Sequence, residues 1–147
     1  MSTDQKKVTA RRWFSDVITH GQQAVADQIF TANHAFHDPH APPGGWPTGP
    51  EGPKMIATAF GGGFSGWNII IEDQIAEGDK VATRWAASAT HTGPLMGIPP
   101  TGKTVRVTGV NVTRFAEGKI VESWFNFDML TLLQQLGAIP TPEQVGG

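Results

Sequence analysis

The groups able to do chemistry gather in two short segments. Along Lys119 to Phe127, strict alternation puts Ile120, Glu122, Trp124 and Asn126, with Asp128 just beyond, on one face, and Val121, Ser123, Phe125 and Phe127 on the other. The first face mixes two carboxyls and an amide with an indole, which is how a pocket wall reads. The ring is a platform for an apolar ligand, and the polar groups orient it or move a proton. Asp128 also precedes an apolar run and makes a good helix cap, so both roles stay open. The second segment holds His34, His37, Asp38 and His40. Imidazole and carboxylate are metal ligands, but in an extended chain His34 and His37 point to opposite faces, and no second ligand cluster stands elsewhere. No metal is expected. His37 with Asp38 reads either as a proton-exchanging pair at a pocket mouth or as loop residues satisfied by backbone and water.

A third run, Lys80 to Thr92, alternates Val81, Thr83, Trp85, Ala87, Ala89 and His91 against Ala82, Arg84, Ala86, Ser88 and Thr90. With the more apolar set inward, Trp85 and His91 line a cavity, the alanines leave room for a ligand, and Arg84 is a solvated charge. The opposite register would turn Arg84 toward Glu122 or Asp128, and His91 is alternatively a surface residue at a strand end. Gly61 to Phe64 lacks the spacing of a phosphate-binding loop, and no serine sits in a GxSxG context.

These segments need elements to hold them. Thr3 or Asp4 caps a first helix ending near Gly21, with Val8, Ala10, Trp13, Phe14, Val17 and Ile18 as its apolar stripe. Gln22 to Phe30 keeps helical spacing, and Ala35 to Asp38 is a short strand or extended turn. The Pro- and Gly-rich stretch from Pro39 to Pro53, around Trp46, is an ordered loop or lid. Pro53 starts a helix to about Phe60 that Gly61 to Gly63 end. From Trp67 the period becomes two, giving antiparallel strands Trp67–Ala76, Lys80–Thr92, Thr104–Ala116 and Lys119–Phe127. Asp128 then opens a last helix ended by Gly137, and the tail after Pro140 is frayed. The plan is α+β: helices gathered on one face of a curved antiparallel sheet, enclosing a hollow for a small molecule.

The 147 residues, 39% hydrophobic and without internal repeat, make a single domain over 1–147 with a core that needs no staple. Eleven Lys and Arg against 13 Asp and Glu leave no basic excess for nucleic acid. No apolar run is long enough for a membrane span and no secretory signal opens the chain, so a cytoplasmic protein is expected. The absence of Cys and Tyr removes thiolate and phenol chemistry.

Taken in order, Phe36-His37-Asp38-Pro39, Ile71-Glu72-Asp73, the run Glu77 to Trp85, His91-Thr92-Gly93, Gly97 to Lys103, Gly118 to Trp124, Asp128 and Leu132 to Gly137 resemble the SnoaL-like polyketide cyclase (ester cyclase) family from about Val8 to Ile139. The resemblance implies an NTF2-like cone and ring closure of a polyketide by intramolecular aldol condensation, with neither metal nor organic cofactor. It implies Asp128 as catalytic acid/base with a raised pKa, and His91 and His37 as further catalytic candidates. Trp124, Asn126, Trp85, Glu122 and Trp13 become substrate-binding candidates, Trp13 also reading as plain core. Relatives of this fold perform isomerisation, dehydration or epoxide hydrolysis, and some only bind ligands, so a non-catalytic carrier of a hydrophobic or aromatic small molecule is the alternative. Homodimerisation through the outer sheet face is also implied, with Val121, Ser123, Phe125 and Phe127 as the outward set.

Overall fold

The polar N-terminus can cap a helix before any tertiary contact forms. In the computed structural model, which describes residues 1–146, Ser2 and Gln5 exchange side-chain to backbone hydrogen bonds in a capping box that starts α1 (Thr3–Arg12). Thr3 and Asp4, expected as caps, lie inside its first turn. The helix does not run unbroken to Gly21 but widens into a π-helical segment, Trp13–Thr19. That segment turns Trp13, Phe14 and Val17 into the core, and the Thr19 hydroxyl donates to the Phe14 carbonyl at 2.8 Å. After α2 (Gln23–Ile29) the chain enters β1 (Phe30–His37), longer than the short piece expected. Helix α3 (Glu51–Gly63) begins two residues before Pro53 and absorbs all three glycines. Proline is tolerated there because the N–H groups of a first turn have no intrahelical partner.

Strands β2 (Phe64–Glu77), β3 (Lys80–His91), β4 (Thr104–Ala116) and β5 (Lys119–Phe127) form the expected antiparallel meander. Glu117 and Gly118 both take positive φ, as a tight hairpin turn requires. The sheet order is β1-β5-β4-β3-β2, with β1 added in parallel to β5. Asp128 caps α4 (Met129–Gln135) by accepting from the Thr131 N–H at 3.0 Å. The tail is not frayed throughout, since Pro142–Gly146 closes a short helix, α5.

One irregularity decides which groups face inward. Arg114 pairs with Glu122 but Phe115 pairs with Ile120, so Val121 is an extra residue in β5, a β-bulge. Ile120 and Ser123 both point into the core, and beyond the bulge Phe125 and Phe127 follow Ser123 inward. Glu122, Trp124 and Asn126 are therefore on the outer face, the reverse of strict alternation from Ile120. Ser123, Phe125 and Phe127 cannot supply an outer interface.

The Pro- and Gly-rich loop is ordered but is no lid over the cone. The side chain of Asp38 is 1% exposed. Its carboxylate accepts from Trp46 Nε1 and the His40 N–H, each at 2.9 Å. Gly49, at φ +87°, donates to the His34 carbonyl at 2.8 Å and lies so close to β1 that a Cβ would sit 2.8 Å from the Ala32 carbonyl oxygen. The loop thus runs along β1 rather than across the hollow.

Candidate functional site

The concave face of the sheet carries large rings beside very small residues, and the helices cover it. β3 contributes Trp85, Ala87 and Ala89, β4 Val105 and Val107, and β5 Phe125 and Phe127. Trp67 and Ile69 of β2 close one side, while Phe14, Ile18, Phe60 and Leu132 come from the helices and Phe64 from the start of β2. About 490 Å³ lies between these side chains, counting the part open to solvent, but the centre of a water molecule has only about 30 Å³ in which to move. The site is a narrow apolar slot, not a roomy chamber. Its floor is built around Trp85. Gly109, its cross-strand partner, has no side chain, and a Cβ there would lie 2.5 Å from Trp85 Cζ2. The indole therefore lies across β4, with Nε1 donating to Asn111 Oδ1 at 3.0 Å. It stands nearly parallel to Phe125, at 11° and 6.2 Å between centroids.

Of the candidate catalytic and substrate-binding residues, Trp85 alone lines this slot, beside Ala87 and Ala89, the alanines expected to leave room for a ligand. Trp13 is buried core, edge-on to Phe125 and Phe36, and borders a second, smaller hollow. His91 is fully buried but holds the long loop before β4: the Thr101 N–H donates to its Nδ1 at 3.1 Å, so Nε2 carries the hydrogen and has no partner. His37 stacks on Trp124 on the outer face, at 5.3 Å, and bonds Glu122 at 2.7 Å. Arg114 reaches the same carboxylate at 3.0 Å. Contacts from His37 first, then Arg114, hold Glu122 below the usual carboxylate range. Trp124, Asn126, His37 and Asp38 border a shallow outer cleft. Arg84 points outward, as the more apolar register of β3 implied, and pairs with Glu72.

Asp128 is exposed at the junction of Phe127 and α4, the helix that carries Leu132, so two slot residues flank it in sequence. Hydrogen bonds from the Thr131 hydroxyl and N–H hold its carboxyl below the ordinary value. That is opposite to the direction a proton donor requires, because the cap stabilises the ionised form.

Nothing in residue type or spacing signals the second hollow's buried polar wall: Thr83, Asn111, Thr113 and Ser123 line it, and Ser123 Oγ meets His34 Nε2 at 2.8 Å. Burial lowers the His34 pKa to about 4. The slot's Phe14 and Ile18 do appear in the apolar stripe of the first helix, but a stripe reads as core whether or not a gap lies beneath it. Among the described residues, no group of three or more His, Cys, Asp or Glu is placed to hold a metal ion, and no helix is long and apolar enough to cross a membrane.

The family model described as SnoaL-like polyketide cyclase matches residues 8–136. TsrD from Streptomyces laurentii superposes with a TM-score of 0.83 at 22% identity, covering 95% of this chain and 99% of that one, which shows the fold alone. IdmH from Streptomyces antibioticus gives a TM-score of 0.76 at 30% identity, covering 90% of this chain and 99% of that one. No curated protein sequence matches the chain.

Proposed function

The chain belongs to the SnoaL-like polyketide cyclase family, and on that premise we propose that it closes a ring in a flat, polyketide-like carbonyl compound held in the slot. The carrying observation is the slot itself, whose lining is apolar throughout and whose floor is an indole fixed flat against the sheet. Such a surface holds ring systems by burial and stacking. The reaction is an intramolecular aldol addition, with the substrate's acidic carbon extending out of the slot to Asp128, the residue after Phe127. An ionised carboxylate takes a proton and does not give one, so Asp128 acts first as base rather than acid. It removes the proton from a carbon flanked by carbonyls, and the resulting enolate carbon bonds to the second carbonyl carbon. The new alkoxide then recovers the proton from the Asp128 carboxyl, so the product is an isomer of the substrate.

A second reading has its own support. No titratable side chain lines the slot, which is what a non-catalytic carrier of an apolar small molecule needs. Asp128→Asn separates the two, because asparagine caps a helix about as well as aspartate while losing the base. With polyketide-like 1,3-diketones as substrates, the cyclase reading expects turnover to fall 10²-fold or more with thermal stability and binding unchanged. Retained turnover in the variant would remove Asp128 from the chemistry. Tight binding without turnover by the unmodified protein would leave the carrier.

A further inference from the structure

Fourteen residues line the slot, and only Trp67 and Trp85 among them have a nitrogen, oxygen or sulfur atom in the side chain. The two indoles are in opposite states. The N–H of Trp85 is spent on Asn111 at 3.0 Å. That of Trp67 is buried and has no partner. Its ring neighbours are Phe60, edge-on at 6.1 Å, and Phe64, tilted at 5.4 Å, neither of which has an acceptor atom to offer. Trp67 and Phe60 are both partly exposed, whereas Trp85 and Phe125 are buried, so Trp67 stands at the more open end of the slot while its Nε1 itself is covered. A buried N–H without an acceptor is uncommon in a native fold and asks for an explanation.

We infer that Trp67 Nε1–H binds a carbonyl oxygen of the slot's occupant, which makes that occupant a flat apolar compound with a hydrogen-bond acceptor on the edge that meets Trp67. The inference rests on the proposed reading of the slot as the substrate site, and it adds the feature that an otherwise apolar wall uses to tell a ketone from a hydrocarbon of the same shape. A donor already dry and fixed strengthens as the oxygen gains charge, so the same N–H stabilises the alkoxide formed in the aldol step. Trp67 is then a catalytic residue as well as a specificity residue, and Trp85 is the platform.

The test compares 1-tetralone with tetralin, bicyclic probes that differ by the one carbonyl, in titrations of the full chain followed by the indole N–H resonances. Trp67 is assigned with Trp67→Phe. Tetralone should bind about fivefold more tightly, the factor given by a net hydrogen bond of about 1 kcal/mol. The Trp67 indole proton should move downfield with tetralone and not with tetralin, and Trp67→Phe should bind the two equally. Equal binding by the unmodified protein with a stationary Trp67 resonance, or a downfield shift at Trp85 instead, overturns the inference while leaving the slot as a binding site. Failure of both probes to bind overturns the slot reading, and the inference with it. The resonance shift is read in the unmodified protein, so it stands even where the variant folds poorly.

Discussion

The two faces of β5 meet different solvents and carry different chemistry. Inward, Phe125 and Phe127 wall the dry slot beside Trp85. Outward, Trp124 and Asn126 border an open cleft, and Glu122 is held between His37 and Arg114. A single extra residue, Val121, separates these arrangements from their mirror image. The lesson is that the titratable side chains of the strand itself lie where water screens them, while the slot offers shape, stacking and one unpaired indole N–H. In the proposed reading binding belongs to the inner face, and proton transfer to Asp128, which follows Phe127 and is ionised.

The largest effect should come from the floor of the slot. Trp85→Ala removes a buried ring and leaves Asn111 Oδ1 without its donor; a loss of about 3–5 kcal/mol is expected in denaturant unfolding, with loss of planar-probe binding. A loss below 1 kcal/mol would show that the rings do not pack as a unit.

Acid should come next, and it acts on the inner face first. His34 has a native pKa of about 4, because burial penalises its charged form, against an ordinary value of 6.5. The native state therefore gives up its proton before the unfolded chain does. Stability is complete above pH 6.5 and falls as the pH drops toward 4, by up to about 3 kcal/mol. Glu122 acts in the same sense from the opposite cause and over a lower range: contacts that favour its charged form depress its native value, so its contribution is full above the unfolded carboxylate value and is lost as the pH falls through the native one. Unfolding midpoints between pH 7 and 4 test this, and His34→Gln should flatten the slope. An unchanged slope in that variant would place the acid sensitivity elsewhere.

Gly109→Ala comes third. The added Cβ meets Trp85 Cζ2 at 2.5 Å and the Asn126 carbonyl oxygen at 2.6 Å, and that backbone oxygen cannot swing aside. About 1–3 kcal/mol of stability should be lost, with the indole displaced into the slot; near-ultraviolet circular dichroism reads the ring and probe titration reads the space. The smallest effect belongs to the outer face. Glu122→Gln should cost under about 1 kcal/mol, since the pair it breaks is partly solvated. Probe binding should not change; altered affinity would show that the two faces are coupled.

Much of the fold was legible because it depends on local periodicity. Strands β4 and β5 have the bounds their alternation implies, and Asp128 and Gly137 mark the last helix by cap chemistry. β1 was harder to see, since Ala32, Asn33 and Ala35 make a poor strand by composition, and pairing with β5 stabilises it. The site was less legible. Trp85 followed from the alternation of β3, but Glu122, Trp124 and Asn126 were placed inside because nothing in residue types announces a bulge. Trp67 passed as an ordinary strand residue, because a free N–H is defined by what surrounds it.

The sequence by itself determined the α+β order, the cap and glycine stop of the last helix, and the hairpins, all set by propensities and spacings within a few residues. Only the tertiary structure decided which face of β5 is wet, which indole is satisfied and whether Asp128 is charged. Those properties arise from register and burial between segments far apart in the chain, where a shift of one residue exchanges water for a packed core.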